Sequence, residues 1–191
     1  MIGIAGPPGA GKSTLAQALK AVLGREAVVV PMDGFHFPNA RLDALGLRAR
    51  KGAPETFDRL AFELAVAELR ATQKPVSLPL YSRELHEPVA DALTVPLATS
   101  FVIVEGNYLF LWPEVRNALD LKIYLDCDPA LARASVIARH QQGGASEEEA
   151  VRKFETNDRL NSETVHATRG AAEIMIRRNA AGWTVERVGG T

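Results

Sequence analysis

The chain has 191 residues, with 22 Lys plus Arg against 23 Asp plus Glu and a formal net charge of −1. Hydrophobic residues make up 47% and charged residues 24%, too apolar for disorder and sufficient for one well-buried domain. The charge balance argues against a dedicated nucleic-acid binder, the single cysteine, Cys127, excludes an internal disulfide framework and a Cys-built zinc site, and no apolar run reaches the roughly 18 residues of a membrane span.

The chain opens on a short apolar strand, Ile2–Ala5, followed by Gly6-Pro7-Pro8-Gly9-Ala10-Gly11-Lys12-Ser13. A helix is expected from about Ser13, because Leu15, Leu19, Val22 and Leu23 fall at helical spacing and Gly24 can end it. Ala27–Val30 reads as a buried strand stopped by Pro31, with Asp33 just past its carboxyl end. Residues 34–56 are irregular, and a long loop in a compact domain is usually functional. Arg59–Arg70 carries Phe62, Ala65, Val66 and Leu69 on one helical stripe. Leu60, Phe62, Leu64 and Val66 also alternate, but length and composition favour helix. Residues 75–96 hold four prolines and read as short strands and turns, a small hairpin projecting from the sheet.

Phe101–Val104 is a further buried strand, ending at Glu105-Gly106, and Leu121–Leu125 is another, ending at Asp126. A helix follows from about Pro129 to His140, with proline in its first turn and Gly143-Gly144 breaking it. Asp126 is expected to cap that helix, and Cys127 to be a small core residue. Ser146 and Glu149 form a capping box for a helix reaching about Asn157, with Glu147 and Glu148 also at its positive end. A further short helix and two late strands, Glu173–Arg177 and Thr184–Val188, complete the pattern. Strands alternate with helices throughout, which implies a mainly parallel sheet covered on both faces.

Gly6–Ser13 satisfies G-x-x-x-x-G-K-[ST] in full, between the strand and the amphipathic helix that a phosphate-binding loop requires. Its glycines let the backbone wrap so that N–H groups point at phosphates, and the helix N-terminus adds partial positive charge. Lys12 can reach the β- and γ-phosphates and the Ser13 hydroxyl can bind Mg²⁺. The absence of an N-K-x-D guanine signature and of an L-S-G-G-Q stretch lowers the GTPase and ABC-transporter classes. In open parallel sheets, ligands bind beyond the carboxyl ends of strands, where Asp33, Glu105 and Asp126 stand. Glu105 either holds a metal there or caps a turn. Asp33, within Pro31-Met32-Asp33-Gly34-Phe35-His36, is either the carboxylate that orients or deprotonates an acceptor hydroxyl or an Asp-Gly turn residue.

Together these segments resemble the uridine kinase, pantothenate kinase and phosphoribulokinase superfamily of P-loop kinases, from Gly6 to about Arg177. The likeness is carried by GPPGAGKST at Gly6–Thr14, PMDGFHFPN around Asp33, RKGAPETFD ending at Asp58, PLYSR around Tyr81 and VIVEGNYL around Glu105. Within the superfamily the chain is most similar to the bacterial group described as fructose-transport-system kinases or nucleoside/nucleotide kinase-like proteins. Lys51-Gly52-Ala53-Pro54-Glu55 resembles the corresponding pantothenate kinase segment.

The resemblance implies an α/β fold, a P-loop NTPase three-layer sandwich whose central parallel sheet, in the order 2-3-1-4-5, is flanked by helices. It implies a single domain over residues 1–191, with an acceptor-binding insertion at about 75–97 and a lid at about 139–158. It implies ATP and Mg²⁺, the nucleotide held by Gly6, Pro7, Pro8, Gly9, Ala10, Gly11, Lys12, Ser13 and Thr14, and the metal by Ser13 and Glu105. Asp33 matches the catalytic aspartate, with Lys12 and Arg139 on the transferring phosphate, and His36, Asp58, Tyr81, Arg83 and His86 at the acceptor. For His36, and for the basic loop of Arg48, Arg50 and Lys51, a solvated surface is the other reading. Arg133 and Arg139 lie roughly 240° apart round a helix, so phosphate clamping is expected to rest on Arg139 with help from Arg152 or Arg133.

The expected activity is transfer of the ATP γ-phosphoryl group to a hydroxyl of a sugar, nucleoside or pantothenate-like metabolite. The alternative is a P-loop ATPase acting as a nucleotide-dependent switch without a small acceptor. The expected partner is a small-molecule hydroxyl acceptor, with no nucleic acid and no membrane, and with a homodimer left open. The expected location is cytoplasmic, because no basic-then-apolar leader precedes the first motif.

Overall fold

A computed structural model describes residues 1–71 and 73–188. The strands are β1 (Ile2–Ala5), β2 (Ala27–Pro31), β3 (Val76–Ser82), β4 (Glu87–Val95), β5 (Phe101–Gly106), β6 (Leu121–Cys127), β7 (Ile174–Asn179) and β8 (Gly182–Arg187). The helices are α1 (Lys12–Leu23), α2 (Asn39–Ala44), α3 (Arg59–Ala71), α4 (Pro113–Asn117), α5 (Pro129–Gln142), α6 (Glu147–Lys153) and α7 (Arg159–His166). Six strands form one sheet in the order β2-β5-β1-β6-β7-β8, and β3 pairs with β4 as a separate antiparallel ribbon. From β2 to β7 every pairing is parallel. Numbered by themselves, those five strands run 2-3-1-4-5, the order that the resemblance implies. β8 extends the sheet by an antiparallel edge strand.

Apolar side chains cover both faces of this sheet, as the alternation of strands and helices requires. On one face Phe62 and Val66 of α3, Val115 of α4 and Val165 of α7 pack with Val104 and Tyr124. On the other, Ala16, Leu15, Leu19 and Leu23 of α1 pack on Ile4, Val29, Ile103 and Ile123. Val22, placed on the same stripe by its spacing, is 84% exposed and points to water, so the buried stripe of α1 is narrower than expected. In α3, Phe62 and Val66 are buried while Leu60 and Leu64 are exposed, a four-residue period that belongs to helix rather than strand.

Two short helices went unannounced. α2 lies inside the irregular span and α4 opens on Pro113, and neither is long enough to show a helical period. Asp128, not Asp126, caps α5: its Oδ1 accepts from the Ala130 N–H at 2.8 Å. A cap must directly precede the first helical residue, here Pro129, and Asp126 is still within β6. Asp126 instead accepts from the Cys127 N–H and lies 3.8 Å from Arg177. Cys127 is buried. The capping box of Ser146 and Glu149 is present, and α6 runs through a π-helical turn, Phe154–Asp158, into α7. Among the described residues no helix is long and apolar enough to cross a membrane.

Candidate active site

Parallel pairing brings three strand ends to one edge. Ala5 stands opposite Gly106, and Pro31 opposite Glu105, so the loop after β1, the turn after β2 and the end of β5 are neighbours. In the loop, Gly9 has φ +78°, and a Cβ there would lie 2.3 Å from the Ala132 carbonyl oxygen of α5, so no larger residue fits. The Ala10 N–H closes the turn onto the Pro7 carbonyl at 3.2 Å.

Lys12 is buried, and its Nζ donates to the Pro7 carbonyl at 3.0 Å. Burial lowers its pKa to about 8; Glu105 and Asp33 push the other way, and Arg139 adds to the lowering. The Ser13 hydroxyl donates to Glu105 Oε1 at 2.9 Å. Glu105 is itself buried, which raises its pKa; Asp33 raises it further, and Lys12, the Ser13 hydrogen bond and Arg83 oppose the rise.

Asp33 sits in a 3₁₀ turn, Met32–Phe35, at the end of β2. The β3–β4 ribbon presses on this turn: a Cβ at Gly34 would stand 2.2 Å from the Pro79 carbonyl oxygen. Asp33 is exposed toward the cavity. His36 Nδ1 lies 2.8 Å from the Asp33 carbonyl oxygen, an atom that can only accept, so Nδ1 carries the proton. The imidazole stacks 3.9 Å from the Phe57 ring and 5.1 Å from the Tyr81 ring. Burial lowers the His36 pKa and favours the neutral ring, against an opposing pull from Asp33.

A cavity of about 430 Å³ joins these parts, with Lys12, Ser13, Asp33, Glu105 and Arg139 on its wall together with His36, Tyr81, Arg83 and His86. Pro8 also reaches it, while Gly6, Pro7, Gly9, Ala10, Gly11 and Thr14 build the loop and first helical turn behind. Asp58 is placed elsewhere. It does not line the cavity; its Oδ1 accepts from the Ala61 N–H at the start of α3, and its Oδ2 is 3.7 Å from Arg41. The basic loop divides. Arg48 and Arg50 pair at the surface with Asp43 and Glu55, whereas Lys51 lines the cavity.

Neither Arg133 nor Arg152 joins Arg139. Arg133 pairs with Glu155 at 3.3 Å, and Lys153 stands on the cavity wall instead. Sequence reasoning missed Lys153, Asp158 and Asn161. His140 Nε2 lies 2.8 Å from Asp158 Oδ2, and Asn161 is almost wholly buried. No local motif marks these residues, because the π-helical turn decides which side chains of the helix face inward.

A second cavity, about 530 Å³, lies behind Pro7 between α5, α7 and the ends of β6 and β7. Asp126 and Asp128 on its wall are engaged with the Cys127 N–H and the α5 cap, and of the other candidate residues it holds only Pro7, so the smaller cavity is the candidate reaction site.

A sequence profile of the family described as "Phosphoribulokinase / Uridine kinase family" matches residues 1–180. A Schizosaccharomyces pombe protein named "putative uridine kinase" is 35% identical over 194 residues, covering 93% of this chain and 83% of that protein. An uncharacterized Escherichia coli K12 protein is 35% identical over 192 residues, covering 92% and 76%. The crystal structure of a "putative fructose transport system kinase" from Silicibacter sp. TM1040 superposes with a TM-score of 0.79 at 37% identity, over 88% of this chain and 84% of that one.

Proposed function

The chain belongs to the phosphoribulokinase/uridine kinase family and is an ATP-dependent phosphotransferase acting on an alcohol group, and from that premise we propose that its cavity transfers the γ-phosphoryl group to a hydroxyl of a sugar, nucleoside or pantothenate-like metabolite. One observation carries the reading: Asp33 shares a cavity with Lys12 and the Ser13–Glu105 pair, and the same cavity continues to His36, Tyr81, Arg83 and His86, which holding a nucleotide does not require. The β3–β4 ribbon, within the insertion at about 75–97, forms the acceptor wall, and residues at about 139–158 form the lid.

In this reading the backbone N–H groups of Gly9 to Ser13 and the start of α1 hold the β- and γ-phosphates. Asp33 accepts the proton of the acceptor hydroxyl as its oxygen bonds to the γ-phosphorus, and the bond from that phosphorus to the β-phosphate oxygen breaks to leave ADP. Lys12 and Arg139 stabilise charge on the transferring group. Neutral His36, locked by the Asp33 carbonyl, offers Nε2 as an acceptor for a second substrate hydroxyl.

The family uses ATP with Mg²⁺, and the Ser13 hydroxyl and Glu105 carboxylate, 2.9 Å apart, fit that ion. They are hard oxygen donors, few in number, as Mg²⁺ takes when phosphates supply its other ligands. When bound, Mg²⁺ offsets charge on the β- and γ-phosphates.

ADP release should be measured with ATP and fructose, other sugars, uridine, cytidine and pantothenate. A rate above the acceptor-free rate with at least one class is expected; no stimulation by any of them would favour the switch reading. Nucleotide binding should also depend on pH. The free protein loses the Lys12 charge near pH 8, so ATP affinity should fall as pH rises through about 8, by up to about tenfold per unit. Titrations from roughly pH 7 to 9.5 would show this. A flat profile would mean that Lys12 keeps its charge throughout this range or that its charge does not hold phosphate.

A further inference from the structure

Five lysine and arginine side chains without an ion pair among the described residues line the cavity: Lys12, Arg83 and Arg139, and with them Lys51 and Lys153. Lys51 Nζ donates to two uncharged oxygens, Asn39 Oδ1 at 2.6 Å and the His86 carbonyl at 2.7 Å, and lies 5.1 Å from the centre of the Tyr81 ring. Neither Lys51 nor Lys153 forms an ion pair among the described residues. Glu87, the acid whose field reaches Lys51, has both carboxylate oxygens 3.0 Å from the Asn39 N–H. Burial lowers the Lys51 pKa, Glu87 opposes this, and Arg48 and Lys153 add to the lowering, so Lys51 and Lys153 stand within each other's field.

The wall beside them is polar and incompletely paired. Asn161 is 2% exposed, lines the cavity and hydrogen-bonds through its side chain to nothing among the described residues. Behind the wall, Asn157 Nδ2 donates to the Lys51 carbonyl at 2.9 Å and holds that segment in place. A Cβ at Gly52 would stand 3.9 Å from the Nδ2 atoms of both asparagines, so both amides face the Lys51-Gly52 segment. Arg139 and Arg83 belong to the other end of the cavity, where their fields reach Lys12 and Glu105.

Lys51 is part-buried without a countercharge, Lys153 is exposed beside it, and the Asn161 side chain has no hydrogen-bond partner among the described residues; one bound anion would accept from both ammonium groups and from the Asn161 amide N–H. We propose that Lys51, Lys153 and Asn161 form an anion subsite, and that the acceptor is a hydroxyl compound carrying its own carboxylate or phosphate rather than a neutral sugar or nucleoside. This rests on the kinase reading above and narrows its acceptor class.

Inorganic phosphate titrated calorimetrically into protein saturated with Mg²⁺ and a non-hydrolysable ATP analogue tests the subsite while the phosphate loop is filled. Phosphate should still bind. The double variant Lys51→Met, Lys153→Met should weaken it by about tenfold or more while the analogue binds as before. Lys153→Met alone, on an exposed position, should show part of that loss and guards against misfolding around Lys51. Absence of phosphate binding, or the same binding in the variants, overturns the subsite.

Matched pairs in the ADP-release assay identify the anion: fructose 6-phosphate against fructose, and pantothenate against pantothenol. Higher kcat/KM for the phosphate or the carboxylate member supports a sugar phosphate or a hydroxy acid respectively. Equal or higher kcat/KM for the neutral members overturns the proposed acceptor class and leaves the kinase reading standing. Phosphate binding at the subsite with no stimulation by any acceptor would instead remove the kinase reading and keep the subsite.

Discussion

An Asp33→Asn variant should bind ATP with near-normal affinity yet turn over about 10²–10⁴ times more slowly, the usual weight of a general base. The substitution keeps shape and hydrogen-bonding capacity and removes only the basic carboxylate. A turn role predicts otherwise, since asparagine is a good turn former and activity would hardly change. The fold already weakens that alternative: within the chain Asp33 is held through its backbone carbonyl, which accepts from the His36 N–H and lies against the His36 ring nitrogen, while the carboxylate is directed into the cavity. kcat and ATP affinity of this variant, measured with an active acceptor, decide the matter. Near-wild-type turnover would sink the assignment, and joint loss of turnover and ATP binding would place Asp33 chiefly at the metal.

Lys12→Met should weaken ATP binding by about 10–100-fold, the loss of one charge-assisted contact inside a low-dielectric loop. Its melting temperature should not fall. Lys12 titrates near pH 8 in the folded protein, below its ordinary value of 10.5. Keeping it charged therefore opposes folding, fully below about pH 8 and progressively less as pH rises toward the unfolded value. Methionine fills the same space without that charge. Calorimetry and a thermal scan near neutral pH test both halves; a lower melting temperature with unchanged affinity would make the Nζ bond to Pro7 a structural clasp instead.

The parts of the site legible in the sequence are those fixed by contiguous residues. The loop from Gly6 to Ser13 carries its own geometry in its glycines, and Asp33 and Glu105 follow apolar runs that could only be strand ends. Parallel pairing then brings them together without further information. What depended on helix phase or on an exact terminus was not legible. Asp58 stands in a motif segment, but its Oδ1 accepts from the first turn of α3 and its side chain is not on the cavity wall. Asp126 and Asp128 are two residues apart, and only the placement of Pro129 as the first helical residue decides which one caps. Lys153, Asp158 and Asn161 reach the cavity because the helix widens between α6 and α7, a change of hydrogen-bond pattern that hydrophobic spacing does not encode.

That widened turn also bears on how such a pocket can diversify. A π-helical turn within an α-helix accommodates one additional residue while the helix on either side keeps its place. Here the flanks are anchored, by Ala150 on one side and Val165 on the other, both fully buried. Loss of a single codon within 154–158 would regularise the helix and leave both anchors seated. It would remove the bulge that holds Asp158 against His140 and Asn157 against the Lys51 carbonyl. Gain or loss of one residue at this point is thus a route by which a lineage can exchange the polar lining of this cavity without rebuilding the core.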